Sequence, residues 1–200
     1  MKNKDIDQVQ ELPTGISRRD FIKLCSTVAA GLALPGAMTS KIAHAITSPN
    51  RPPVIWLHGS ECTGCTMSLL RAEHPTLEKL MLELVSLDFH ETLSAGAGHQ
   101  AEEALEHAVE SNYGKFILII EGAIPLKDGG IYCRIGGKNF VDIVRDIGAK
   151  AGAVIAVGSC ATWGGVAAMG PNPTGCVGVD EVLKEKTVVS IPGCPPNPYN

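Results

Sequence analysis

Four cysteines stand where their thiols could hold a metal centre. Cys62 and Cys65 form a Cys-x-x-Cys pair in E-C-T-G-C-T, Cys160 lies in G-S-C-A-T-W-G-G and Cys194 lies in P-G-C-P-P-N-P. Thiolates bind zinc ions and iron–sulfur clusters. Four-cysteine zinc sites usually come from two Cys-x-x-Cys pairs, whereas here one pair is joined by two single cysteines in glycine- or proline-rich loops. The pattern therefore favours a [4Fe-4S] cluster, with glycines that allow close backbone approach.

Other uses of these cysteines stay open at this point. The four thiols would also suit a zinc ion, and the Cys62–Cys65 pair alone is typical of a thioredoxin-like redox motif. Apart from Cys25 there are six cysteines, which could form three disulfides in any of fifteen pairings. Cys133 or Cys176 could take the place of Cys160, although such cysteines are more often packed as small residues.

Short apolar runs alternate with helical patterns along the chain. The predicted strands are 54–57, 84–89, 115–120, 153–157 and 187–191. The predicted helices are 66–72, 75–82, 101–110, 140–149 and 179–183, with a turn at 58–64 and long glycine-rich loops at 122–139 and 158–175. This alternation predicts an α/β fold, a flavodoxin-like doubly wound parallel sheet. The four cysteines then follow the carboxyl ends of strands, where open α/β sheets bind ligands.

The N-terminal region has the three parts of a secretory signal. A basic segment, S-R-R-D-F-I-K at 17–23, precedes an uncharged apolar run at 24–38 and the small-residue site A-H-A at 43–45. The arginine pair resembles the twin-arginine type. The run is shorter than the roughly 20 residues of a membrane-spanning helix. We therefore predict a disordered start at 1–15, a signal peptide at 1–45 that is cut after Ala45, and a flavodoxin-like domain at 46–200.

The export route and the charge both bear on function. The twin-arginine pathway carries folded proteins, so this signal predicts a cofactor that is inserted before export. The whole chain has a net charge of −4, and the residues after the signal are acidic and lack a basic cluster. This balance argues against nucleic-acid binding.

Several motifs, in order, give the chain a family resemblance. They are R-R-D-F-I-K, E-C-T-G-C-T, I-P-L-K-D-G-G-I-Y-C, G-S-C-A-T-W-G-G-V, P-N-P-T-G and P-G-C-P-P-N-P. With these motifs the chain resembles the small subunit of [NiFe] hydrogenases, especially the membrane-associated uptake enzymes of the periplasm. The resemblance extends over nearly the whole sequence.

The resemblance implies a specific role for the four cysteines. Cys62, Cys65, Cys160 and Cys194 would hold the proximal [4Fe-4S] cluster. Electrons from H₂ oxidation at a Ni–Fe centre in a separate large subunit would leave through this cluster towards a membrane electron acceptor. The chain would thus be the electron-transfer subunit of a hydrogen:acceptor oxidoreductase whose catalytic centre belongs to the partner.

The resemblance also bears on residues around the cluster. Glu61 matches an acidic residue with a role in a proton path or in cluster tuning, although a capping carboxylate for the next helix is the favoured interpretation. His58 is expected to be a packing residue of the loop. Gly64 and Gly165 match the positions of two extra cysteines in oxygen-tolerant members, so the oxygen-sensitive type is expected.

Members of this family continue beyond the position of Asn200 with a second domain that carries further Fe–S clusters. From the resemblance the chain is expected to be an N-terminal fragment that lacks this domain. A competing hypothesis is an exported thiol–disulfide protein or a disulfide-stapled binding protein. Iron and sulfide content distinguishes the two.

Overall fold

A computed structural model describes residues 17–31, 35–47, 51–197 and Tyr199. The predicted disorder at 1–15 and the part of the apolar run at 32–34 lie outside these residues. The structure divides into two compact units. The first contains the described residues up to Arg51 together with Glu78–Ser86, and the second contains the described residues of 52–77 and from 87 onward.

The described residues form eight α-helices and nine strands. The helices are α1 (Arg18–Gly31), α2 (Met38–Thr47), α3 (Gly64–Leu69), α4 (Leu77–Lys79), α5 (His99–Ser111), α6 (Phe140–Lys150), α7 (Gly158–Trp163) and α8 (Val179–Val182). The strands are β1 (Pro53–His58), β2 (Ser86–His90), β3 (Ile117–Glu121), β4 (Ile124–Pro125), β5 (Arg134–Ile135), β6 (Lys138–Asn139), β7 (Ala153–Val157), β8 (Cys176–Val177) and β9 (Val188–Ile191). A π-helical turn covers Leu80–Leu84, and 3₁₀ turns cover Lys127–Gly130 and Gly165–Ala168.

The first unit is a pair of helices with a small apolar core. Phe21, Cys25 and Ala29 recur every four residues along α1, so they share one face of the helix, and all three are buried. They pack with Ile42 and Ala43 of α2. No helix within the described ranges combines the length and the hydropathy that crossing a bilayer would require.

The second unit is built on a five-stranded sheet with the order β2-β1-β3-β7-β9. The pairs β1–β3, β3–β7 and β7–β9 are parallel. This is the flavodoxin-like strand order, and it confirms the predicted fold class. The predicted strands match the observed ones to within about two residues at their ends, which is the usual spread between boundary assignments.

The two faces of this sheet differ in composition. We call apolar face the side with Ile55, Leu57, Leu118, Ile120, Val154 and Ala156, which forms one core with residues of α5 and α6. Because side chains alternate along a strand, Trp56, His58 and Glu121 point to the opposite side, which we call the polar face. Thr66 of α3 contacts His58 and Glu121 on that face.

The structure corrects three local predictions. His58 was placed in a turn but is the last residue of β1, and it is buried. The helix predicted at 66–72 is α3, which begins at Gly64 and ends at Leu69. The loop predicted at 158–175 opens with α7, because this helix starts directly at the end of β7. Its first residue, Gly158, has a φ of 86°, a left-handed conformation that glycine adopts readily. A glycine-rich composition by itself therefore predicts a loop at this position.

Candidate metal centre at the carboxyl edge of the sheet

Four parallel strands end in one row. His58 of β1 pairs in register with Glu121 of β3, Glu121 pairs with Val157 of β7, and Val157 pairs with Ile191 of β9. Each of these residues is the last of its strand. The segments that follow β1, β7 and β9 therefore leave the sheet at the same level, and these segments carry the four predicted cysteine ligands.

The turn after β1 presents the first two cysteines. Thr63 has a left-handed φ of 63°, and α3 begins at the next residue, so that Cys65 lies in the first turn of the helix. The first amides of a helix have no partner within the helix. Here Glu121 accepts hydrogen bonds from the amides of Cys65 (3.0 Å) and Thr66 (3.1 Å), and from the Thr66 hydroxyl (2.6 Å). A buried carboxylate thus fixes the backbone of the Cys-x-x-Cys turn.

Hydrogen bonds tie the other two cysteine segments to each other and to α3. Cys160 lies in α7, where the amide of Ser159 donates to the carbonyl of Gly193 (2.7 Å). The amide of Gly193 donates in return to the Ser159 hydroxyl (3.3 Å). The Ser68 hydroxyl of α3 donates to the carbonyl of Pro196 (2.6 Å). These bonds hold the three segments as one assembly.

The charges of the four thiols act on one another. Burial, followed by the neighbouring negative charges of Glu121, Cys160, Cys62 and Cys194, raises the pKa of Cys65 to about 12. Burial also raises the pKa of Cys160, again with contributions from Cys194 and Cys62. Four thiolates this close repel each other unless a positive group lies between them. A bound cation would offset this repulsion, since metal binding deprotonates thiols.

Glycines keep space beside three of the sulfurs. A Cβ on Gly158 would lie 2.4 Å from the Sγ of Cys65, and a Cβ on Gly165 would lie 2.6 Å from the Sγ of Cys160. At Gly64 the corresponding distance to the Sγ of Cys62 is 3.1 Å. Backbone amides can approach a ligand closely at such positions. The donor set and this lining fit a bulky thiolate-bound group such as a [4Fe-4S] cluster.

Across the described residues, no three His, Cys, Asp or Glu side chains converge on the position of a single metal ion. Four tetrahedral zinc ligands would place their sulfurs about 2.3 Å from one point.

Behind the cysteines lies a buried polar group that the sequence did not predict. The Thr66 hydroxyl is 3.3 Å from the Nε2 of His58 and 3.4 Å from the Nε2 of His90. The two rings meet edge to face at 4.7 Å. Burial lowers the pKa of both histidines, and in His90 the neighbouring His58 helps to lower it to about 4. Both rings are therefore neutral near pH 7.

Glu61 does not have the capping role that was favoured for it. Its carboxylate accepts a hydrogen bond from the Thr63 hydroxyl (3.3 Å), whereas the amides of α3 bind Glu121. One oxygen of Glu61 is buried without a hydrogen-bond partner. Burial, followed by the charge of Glu121, raises the pKa of Glu61. The one sequence signal for Glu121 was a carboxylate at the end of a strand that is otherwise wholly apolar.

The remaining cysteines lie apart from this group. Cys176 is buried in β8, opposite Pro125 of β4, and its sulfur is 3.2 Å from the Thr174 hydroxyl. Cys133 is half-buried, and Cys25 belongs to the core of the first unit. Neither Cys133 nor Cys176 is among the charges that act on Cys65 or Cys160. The structure thus groups Cys160, rather than either alternative, with the other three cysteines, and all seven are free thiols.

Comparison with known proteins gives consistent matches. Residues 62–200 match the family model described as NADH ubiquinone oxidoreductase, 20 kDa subunit. The chain is 55% identical over 186 residues to the Hydrogenase-2 small chain of Escherichia coli K12, covering 93% of this chain and 50% of that protein. It is 50% identical over 188 residues to the periplasmic [NiFe] hydrogenase small subunit 1 of Nitratidesulfovibrio vulgaris Hildenborough, covering 93% and 59% respectively.

Solved structures agree with the sequence comparisons. The recombinant [NiFeSe] hydrogenase from Desulfovibrio vulgaris Hildenborough superimposes with a TM-score of 0.72 at 42% identity, covering 76% of this chain and 56% of that one. The chain spans about half the length of the curated relatives it matches.

Proposed function

Because this chain belongs to the family of the NADH ubiquinone oxidoreductase 20 kDa subunit, and its relatives are hydrogenase small subunits, we propose that it is the electron-transfer subunit of a [NiFe] hydrogenase. It carries electrons released by H₂ oxidation at a Ni–Fe centre in a separate large subunit. One observation supports this proposal above the others. Four thiols follow strands that end in one row, and glycines line the space between them.

In this proposal Cys62, Cys65, Cys160 and Cys194 hold one [4Fe-4S] cluster. When bound, the cluster accepts and releases single electrons. The chain's own residues set the conditions for that exchange. Glu121 fixes the amides of α3, Gly158 and Gly165 let backbone approach the sulfurs, and the buried His58 and His90 contact Thr66 of α3. Glu61, whose buried oxygen lies beside this edge, acts in cluster tuning or in a proton path.

The large subunit binds, in this proposal, at the carboxyl edge. Trp163, Val166 and Met169 follow Cys160 along the chain and expose 64%, 74% and 67% of their surface. Apolar side chains this exposed commonly mark a protein interface. A partner seated there would cover the cluster and shorten the path for electrons.

The N-terminal 45 residues act as a twin-arginine signal that delivers the folded subunit to the periplasm and to a membrane electron acceptor. The S-R-R-D-F-I-K segment and the A-H-A site support this assignment, as does the periplasmic relative. Glycine rather than cysteine at positions 64 and 165 supports the oxygen-sensitive type.

Iron and sulfide analysis of anaerobically purified protein tests the proposal. About four of each per chain are expected for one cluster. Cys160→Ser should remove the paramagnetic signal of the reduced cluster and lower the iron content, whereas Cys176→Ser, a buried cysteine outside the group, should leave both unchanged. Equal iron content in the two variants would contradict the ligand assignment. The relatives give no support to a disulfide-stapled protein.

A further inference from the structure

The site at which the signal peptide would be cut lies inside a helix. Ala43 and Ala45, the small residues at positions −3 and −1, belong to α2, and each exposes only 1% of its surface. A peptidase binds its substrate as an extended segment, with the small side chains in its own pockets. Neither the backbone conformation nor the side chains of this site are accessible in the folded chain.

Arg51, which lies on the C-terminal side of the cleavage site, also covers that site. The last carbonyls of a helix lack partners within the helix. The guanidinium of Arg51 donates to one of them, the carbonyl of Ala45. This is the carbonyl that a peptidase would have to attack. Its oxygen is already occupied by a charged donor.

The same guanidinium anchors α2 to a distant segment of the chain. Arg51 donates to the carbonyls of Met81 (2.8 Å) and Val85 (2.6 Å), at the π-helical turn Leu80–Leu84. Leu82 of that turn packs against the α1–α2 core. Lys41 of α2 adds an ion pair with Glu78 at 2.9 Å, which contributes little because both side chains are half exposed. Arg51 and Leu82 therefore carry the attachment.

Two basic residues of the export motif, in contrast, are accessible, whereas Phe21 of the same motif is buried. Arg19 is exposed, and Lys23 leaves 65% of its side chain in solvent. Both lie on α1, whose buried face is formed by other residues, among them Phe21 and Cys25. An export receptor can therefore reach Arg19 and Lys23 while the cleavage site stays covered.

We infer that the folded signal region protects its own cleavage site, so that hydrolysis of the Ala45–Ile46 bond requires α2 to detach from the Glu78–Ser86 segment. Hydrolysis adds one water and leaves a carboxylate on Ala45 and an amine on Ile46. The peptidase supplies the catalytic groups. The fold sets the order of events, because the export receptor can bind before α2 detaches, whereas cleavage can only follow detachment. The inference rests on the proposed signal peptide but not on the proposed cluster.

The test compares cleavage of the purified full chain with cleavage of a synthetic peptide of residues 35–55. Both are incubated with bacterial signal peptidase in detergent micelles, and products are identified by mass spectrometry. Cleavage of a transiently opened site follows the population of the open form. The full chain should therefore be cut at least about tenfold more slowly than the peptide, at the same bond. Equal rates would overturn the inference.

Two variants separate attachment from peptidase preference. Leu82→Asp lies far from the cleavage site in sequence and should speed cleavage of the full chain several-fold, whereas Leu84→Asp, an exposed neighbour outside the core, should not. Arg51→Gln should speed cleavage of the full chain but not of the peptide carrying the same change. A peptide cut at another bond, or not cut, would overturn the assignment of the cleavage site and the inference with it. Iron content measured on the same samples reports separately on the proposed cluster.

Discussion

The two faces of the central sheet are formed by the same strands but have different roles. Along β3, Leu118 and Ile120 point into the apolar core, while Glu121 ends the strand on the polar face and binds the amides of α3. On the apolar face, burial of apolar surface stabilises the folded state, and this stabilisation does not depend on the direction of individual contacts. The polar face depends on hydrogen bonds with fixed directions between groups that are costly to bury unpaired.

This difference predicts that the two faces fail in different ways. Changes on the apolar face should lower the stability of the whole unit while leaving the cysteine edge intact in the molecules that remain folded. Changes on the polar face should disturb the cysteine edge at a smaller cost in stability. Four substitutions test this separation.

The largest loss of stability is expected for Ile120→Ala. Ile120 is fully buried in the core, so its truncation should lower the free energy of unfolding by about 2–5 kcal/mol. Urea unfolding followed by circular dichroism measures the change. Ile119→Ala, on the half-buried opposite side of the same strand, is the matched control and should cost less. Iron content per folded chain should stay that of the unmodified protein.

Glu121→Gln should lower stability less than Ile120→Ala does, and should also change the properties of the cysteine edge. The change replaces a carboxylate that accepts three hydrogen bonds, and hydrogen bonds to charged groups contribute about 1.5–3 kcal/mol. It also removes a negative charge beside Cys65, so the reduction potential of a bound cluster should rise. A redox titration followed by paramagnetic resonance measures that rise. Glu106→Gln, at an exposed position, should change neither stability nor potential.

Thr66→Val isolates one hydrogen bond of the polar face. The side chain keeps its shape but loses the hydroxyl that donates to Glu121 at 2.6 Å, at an expected cost of about 1–3 kcal/mol for the group left unpaired. Combined with Glu121→Gln, the two losses should not add, because both changes remove the same bond. Additive losses in urea unfolding would show that Thr66 and Glu121 act independently.

The last expected effect is a pH dependence at Glu91, which follows β2 and accepts a hydrogen bond from the amide of His58 (3.3 Å). Burial raises the pKa of Glu91 from 4.5 to about 7. The folded state therefore binds the proton more tightly than the unfolded state, and this stabilisation is complete below about pH 4.5 and lost as the pH rises to about 7.

Glu91→Gln should remove this loss of stability at higher pH. Relative to the unmodified protein, the variant should become more stable as the pH is raised from 5 to 8, as measured by urea midpoints at both values. His90, with its pKa lowered to about 4, has the opposite trend between about pH 4 and 6.5, but it is present in both proteins and cancels in the difference. A difference that does not change with pH would show that Glu91 is not buried as a neutral acid.

Much of the fold follows from local patterns. The five apolar runs and the helices between them predicted the sheet, because a buried parallel strand needs a continuous apolar segment. The placement of Cys62, Cys65, Cys160 and Cys194 beyond strand ends then predicted that they share one edge, and the segments that carry them leave the sheet at the same level.

The polar face escaped prediction because its bonds join residues far apart in sequence. Nothing around Thr66 indicates that its partners are Glu121 and His90. Glu61, next to Cys62, was the nearer candidate for the cap, yet the register of β1 with β3 places Glu121 under the amides of α3. Helix α7 was missed for another reason, because its glycine-rich sequence has no apolar period that would distinguish a short helix from a loop.

The row of strand ends also determines when, during synthesis of the chain, the four cysteines can come together. Cys62 and Cys65 leave the ribosome early, but the carboxyl edge is complete only when β9 has paired with β7 and brought Cys194 into the row. Parallel pairings between distant segments form slowly, and a chain stalled before β9 has at most three of the four thiols in place. Iron delivered to a nascent chain would find an incomplete ligand set. Under the proposed ligand assignment, stable iron uptake requires that the last strand of the sheet has been added.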